Sequence, residues 1–177
     1  MRTKDIKLIL KDYFLLNPTT RLRVRQIERE LKVPLPSVIR YTKELETEGI
    51  LQKVVISGVI FFMANRASPL FLQEKKIFNL RNVYNSGLID FLVREYSNPT
   101  IILFGSYARG EDIESSDMDI YLESSQSTRK DIGIFEKGLH RKIELFIYKK
   151  ISFIKNKELA NNIINGITLH GFLEVLK

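Results

Sequence analysis

One stretch constrains this chain more than any other: TIILFGSYARGEDIESSDMDIYL, residues 100–122. Its apolar residues 101–104 read as a buried strand that delivers Gly105 and Ser106 to an exposed turn. Glycine lets a ligand approach the backbone closely, and the N–H groups of such a turn, with the Ser106 hydroxyl, can cradle a phosphate. Asp117 and Asp119 follow two residues apart, on a second run that reads as a strand, SDMDIYLES. Residues i and i+2 of a strand share a face, so both carboxylates project together, with Met118 and Ile120 on the opposite side. Two adjacent like charges repel and are costly to keep unless a cation sits between them.

A third strand is expected at residues 141–148, RKIELFIY, whose only acid is Glu144. Asp117, Asp119 and Glu144 are therefore the candidate catalytic and metal-binding set. The chain has no cysteine, and His140 and His170 lie apart without partners at ligand spacing, which argues against zinc. A metal held by carboxylate oxygens points to Mg²⁺ or Mn²⁺. Such ions suit phosphoryl chemistry, in which an attacking hydroxyl is activated and a leaving pyrophosphate stabilised.

The order strand, Gly-Ser, loop, Ser-Asp-x-Asp, strand resembles the active-site signature of the DNA polymerase β-like nucleotidyltransferases. Gly-Ser-x-x-Arg-Gly followed by Ser-Asp-x-Asp is most similar to their small prokaryotic branch, the minimal nucleotidyltransferases. The resemblance covers about residues 98–172. It implies an NTP substrate, ATP among the candidates, bound by Gly105 and Ser106, with metal ligands Asp117 and Asp119 and Glu144 in place of the third carboxylate. That third position is commonly Asp in the superfamily, so the longer Glu144 implies either a strand set back or impaired catalysis. Arg109 either holds the triphosphate or pins the loop by pairing with a nearby acid. Relatives of this type include antitoxins paired with HEPN-type toxins, some of which they modify with AMP.

The remaining sequence frames this site. Residues 4–16 place Ile6, Ile9, Leu10, Tyr13 and Phe14 at helical spacing, and Asn17-Pro18 stops them. A second helix is expected over 21–31, and a third in PSVIRYTKELETEGI with Val38, Tyr41 and Leu45 inward. Two β-rich runs around Ser57-Gly58 then read as a hairpin. Three short helices and a hairpin resemble a winged helix-turn-helix, which implies duplex-DNA binding through Ser37, Arg40, Lys43 and Thr47 on the third helix. Charge agrees: residues 1–66 hold 13 Lys plus Arg against 7 Asp plus Glu, most of the chain's net charge of +7.

The expected fold is therefore α+β, a winged helix-turn-helix over residues 1–66, a helical connector over 67–97 broken near Ser86-Gly87, and a small mixed-sheet nucleotidyltransferase domain over 98–177. Within that domain a short helix is expected at 129–138, and NKELANNIINGITLHGFLEVLK is expected to close the chain as one helix using Leu159, Ile163, Ile164 and Ile167. His140 and the acidic run Glu111, Asp112 and Glu114 are expected at the surface, Gly110 as a plain loop residue, and Tyr107 as a packed aromatic rather than a base-stacking one. The expected function is Mg²⁺-dependent transfer of a nucleoside monophosphate from an NTP to an acceptor. The alternatives are a DNA-binding regulator whose transferase-like domain is a sensor or inactive, and an antitoxin. Expected partners are an NTP, duplex DNA, a protein acceptor or HEPN-type toxin, and a second copy in a homodimer. No apolar run is long enough to span a membrane and the N-terminus lacks a signal-peptide pattern, so a cytoplasmic location is the default.

Overall fold

The computed structural model describes residues 5–175, so residue 4 of the expected first helix and residues 176–177 of the expected last one lie outside it. The chain divides into two compact units, one ending at Phe78 and one beginning at Asn79.

The first unit opens with α1 (Ile6–Leu16), whose N-terminus is capped by the Asp5 carboxylate accepting from the N–H groups of Lys7 and Leu8. Helices α2 (Val24–Leu31) and α3 (Leu35–Thr47) follow, then strands β1 (Leu51–Ile56) and β2 (Val59–Ala64). The last two form an antiparallel hairpin. Ser57 and Gly58 both have positive φ, which gives the reversal the twist of its strands. The second helix is shorter than its sequence suggests. Residues 21–23 are extended instead, and Leu22 bridges Phe62 of β2 through backbone hydrogen bonds of 2.8 and 3.0 Å. Leu10, Phe14, Ile27, Val38, Leu45 and Phe62 form the core. On α3 the inward residues are Val38, Thr42 and Leu45, and the Thr42 hydroxyl donates to the Val38 carbonyl at 2.8 Å. Tyr41 is only partly buried.

Helix α4 (Pro69–Asn85) contains the division between the units, and α5 (Leu88–Glu95) follows after the Ser86-Gly87 break. Gly87 there adopts φ +76°. The second unit is built on a four-stranded sheet of β3 (Thr100–Phe104), β4 (Met118–Glu123), β5 (Ile143–Tyr148) and β6 (Ile167–His170), ordered β5-β4-β3-β6. Strand β3 is antiparallel to β4 and β6, whereas β4 and β5 run parallel. Parallel neighbours need a connection that crosses back, and α7 (Gly133–Leu139) lies in it. The short α6 (Gly105–Arg109) leaves the end of β3, and α8 (Lys157–Ile164) precedes β6.

Alternation along the strands sorts the sheet into two faces. One face carries Ile101, Leu103, Met118, Ile120, Ile143 and Leu145, which join α5 residues in the larger core. The other carries Ile102, Phe104 and Tyr121, which join Ile151, Ile154 and Ile163 in a smaller one.

The expected continuous C-terminal helix is corrected here. It stops at Ile164, which is 42% exposed, and Ile167 belongs to β6. The reason lies at Gly166, where a Cβ would come within 2.6 Å of Ile102 Cγ2 and 2.7 Å of the Leu103 carbonyl. Only glycine lets the chain turn this closely against β3.

Candidate functional site

Register places the central residues. Asp119 is the cross-strand partner of Phe104, the last residue of β3, and of Glu144 on β5. Asp119 and Glu144 thus stand side by side on one face of two parallel strands, the face of Phe104 and Tyr121. Met118, Ile120, Ile143 and Leu145 are buried on the other. Asp117 lies just before β4 and is exposed.

Asp119 is half-buried, and its carboxyl is held above the usual aspartate range. Burial is the main cause, the negative charges of Glu144 and Asp117 add to it, and the positive charge of Arg109 opposes it. The three acids and Arg109 therefore share one electrostatic neighbourhood. Among the described residues no three His, Cys, Asp or Glu side chains close into a metal cage.

Gly105, the first residue of α6, meets this group. It has φ +73°, and a Cβ there would run into the Asp119 Oδ2 atom. Glycine at this position is required twice, by the backbone and by the carboxylate it faces. The half-buried Ser106 follows in the first turn of α6, where backbone N–H groups lack intrahelical acceptors. Gly110 is more than a loop residue: it caps α6 in the left-handed conformation at φ +73°.

Arg109 is exposed, and its Nε lies 2.7 Å from Glu111 Oε2. The pairing with a nearby acid is thus the arrangement present. Tyr107 is buried, and burial, with the charge of Asp112, pushes its hydroxyl above the usual range. His140 is exposed at the left-handed cap of α7.

The expectation of a solvated acidic run is corrected at Asp112, whose side chain is wholly buried. Its Oδ1 accepts from Asn79 Nδ2 at 2.7 Å, and its Oδ2 faces Arg141 Nη2 at 3.4 Å. Asn79 also donates to the Tyr107 carbonyl at 2.8 Å. This network ties α4, α6 and the turn between α7 and β5 to the loop that leads to Asp117. Sequence reasoning missed it because Asp112 sits between acids that are more open to water, and its partners are distant in the chain. A cleft of about 630 Å³ opens beside Asp117, with Ser115, Ser116, Lys137, His140 and Lys142 among its walls. It includes neither Asp119 nor Glu144.

In the first unit, Arg40 pairs with Glu44 at 3.5 Å and lies 4.2 Å from the centre of the Tyr41 ring. Lys43 is exposed, the Thr47 hydroxyl donates to the Lys43 carbonyl at 3.0 Å, and Ser37 is half-buried near the start of α3. These four residues lie on a different unit from the carboxylates.

A strand that ends in Gly-Ser against an aspartate paired in register with a second acid is an arrangement suited to nucleotidyl transfer. Residues 86–167 match the family model described as nucleotidyltransferase domain, which supports that general chemistry for the second unit. The matched segment contains Gly105, Ser106, Asp117, Asp119 and Glu144. Comparisons with curated proteins and with solved structures gave no match. Among the described residues no helix is long and apolar enough to cross a membrane.

Proposed function

We propose that the second unit transfers a nucleoside monophosphate from an NTP to an acceptor, joining an acceptor oxygen to the α-phosphorus and releasing pyrophosphate. The observation that carries this reading is the register that sets Asp119 beside both Phe104 and Glu144, with Gly105 and Ser106 directly following Phe104. In this reading Gly105 and Ser106 receive the triphosphate, and Arg109 exchanges Glu111 for a phosphate oxygen. Asp117, Asp119 and Glu144 would hold Mg²⁺ or Mn²⁺. The donor set fits a hard cation, whose charge would offset the repulsion Asp119 meets from Glu144 and Asp117. With few protein ligands, such an ion completes its coordination with phosphate oxygens and water. When bound, it supplies charge neutralisation at the phosphates.

We further propose that residues 1–66 form a winged helix that binds duplex DNA, that 67–97 connect it, and that 98–177 form the transferase domain. The helix-helix-helix-hairpin order and the basic excess of residues 1–66 support the first part. The test is incubation of the full chain with each labelled NTP, Mg²⁺ and candidate acceptors, protein and nucleic acid, beside Asp119→Asn. Transfer by wild type alone supports the catalytic reading, and equal transfer by both overturns it. No transfer by either, with DNA binding that responds to NTP in the wild type only, would instead mark the chain as a regulator with a nucleotide sensor.

A further inference from the structure

The charges of the first unit are distributed unevenly between its helices. Residues 35–48, which contain α3, hold two basic and three acidic residues, whereas residues 21–32, which contain α2, hold five basic and two acidic ones. The α3 charges are also engaged. Arg40 pairs with Glu44, Glu46 with Lys53 at 2.7 Å, and Lys7 with both Glu44 and Glu48 at 3.2 and 2.5 Å. Among the described residues Lys43 is the one of its two cations that makes no ion pair.

The residues in and around α2 are different. Arg21, Arg23, Arg25, Arg29 and Lys32 are all exposed, and among the described residues none of them makes an ion pair. Arg23, Arg25 and Arg29 line one cleft of about 290 Å³, closed on another side by Ile60 of the hairpin. The guanidinium group offers a planar fork of donors that matches a phosphate, and it is weakly hydrated, so the cost of bringing it to an anion is low. Three such forks, none held by a carboxylate, surround one concavity next to a hairpin. Together they can engage more than one phosphate, as a polyanion presents.

We propose that the first unit grips the phosphodiester backbone of duplex DNA through Arg23, Arg25 and Arg29, and that α3 contributes little of the electrostatic affinity. The proposal rests on the DNA-binding reading above, and one experiment separates the two. Binding of a short mixed-sequence duplex by the full-length chain is measured across a salt series for wild type, for R23Q/R25Q/R29Q and for R40Q/K43Q. Each phosphate no longer neutralised makes the log–log salt slope shallower by about 0.9. The triple variant should therefore lose about 2–3 from the slope, and R40Q/K43Q less than about 1. The single R25Q variant, which removes one exposed charge, should lose about 0.9 and keep the wild-type melting temperature, guarding against misfolding of the triple. If R40Q/K43Q carries the slope change and the arginine variants do not, the inference falls while the DNA reading stands. If wild type binds no duplex even at low salt, both fall. Preferred binding of a single-stranded RNA of equal length, weakened by the same arginine variants, would overturn the assignment to duplex DNA.

Discussion

At the scale of single residues, Asp119 and Gly105 carry opposite expectations. Asp119→Asn should abolish nucleotidyl transfer, because a nearly isosteric amide keeps the packing but removes the charge that would hold the cation. Its effect on the metal-free protein runs the other way. Burial and the neighbouring acids raise the Asp119 carboxyl above its ordinary range, so the folded chain holds this proton more tightly than the unfolded one. Between the ordinary and the raised value the folded state binds more protons, and stability falls as pH rises through that window. Asp119→Asn removes the fall. Without metal, the variant should melt above wild type at neutral pH, and the two should converge below the ordinary aspartate range, as a melting series across pH would read. Gly105→Ala should lose both activity and stability. A side chain at positive φ costs about 1–2 kcal/mol by itself, and this one also displaces the Asp119 carboxylate. Urea titration should find the stability loss, and labelled-NTP transfer the loss of activity.

At the scale of elements, the buried Asp112–Arg141 pair fixes the loop before β4. Removing one partner of a buried pair is destabilising, by up to about 3–5 kcal/mol, although Asp112 keeps its hydrogen bond from Asn79. Arg141→Met should show a loss of up to that order in urea unfolding. Gly166→Ala should weaken the docking of β6, because the new methyl group meets Ile102 and the Leu103 backbone. Overpacking of this kind costs about 1–3 kcal/mol. These two sites also mark the limit of what sequence could reveal. Strands β3, β4 and β5 were legible because each is a continuous apolar run, broken only by acids whose spacing is itself the signal. The hairpin was legible from Ser57-Gly58, and the α4–α5 break from Ser86-Gly87. Asp112 was illegible because burial depends on Asn79 and Arg141, which no local pattern links to it. Strand β6 was hidden by the helical spacing of the residues before it. The Asn165-Gly166 pair and the β-branched Ile167 and Thr168 were the available signal for a stop. The bounds of α2 failed for a related reason, since the Leu22–Phe62 bridge is a long-range pairing that draws three residues out of the helix.

At the scale of the whole molecule, the two units present separate chemistries, an acidic group proposed to be catalytic in one and, among the described residues, arginines without carboxylate partners in the other. Their contributions to a measured activity should be independently removable: R23Q/R25Q/R29Q should leave transfer to a small acceptor unchanged, and Asp119→Asn should leave the salt dependence of DNA binding unchanged. The parallel β4–β5 ladder has a further consequence for how such a chain can change over generations. The spacing of Asp119 and Glu144 is set by backbone hydrogen bonds between strands and not by the length of chain joining them. The joining segment is held at identifiable points: the Thr128 carbonyl accepts from the Tyr96 hydroxyl at 3.1 Å, and Arg129 donates to the Leu145 carbonyl at 3.3 Å. Between them and β4, Gln126 and Ser127 are exposed. Closing a longer loop costs little, about 0.6 kcal/mol for each doubling of its length. New peptide inserted between Gln126 and Ser127 can therefore be tried without moving the carboxylates. The chain has a place to acquire or exchange contacts with a partner while its reactive geometry is inherited unaltered.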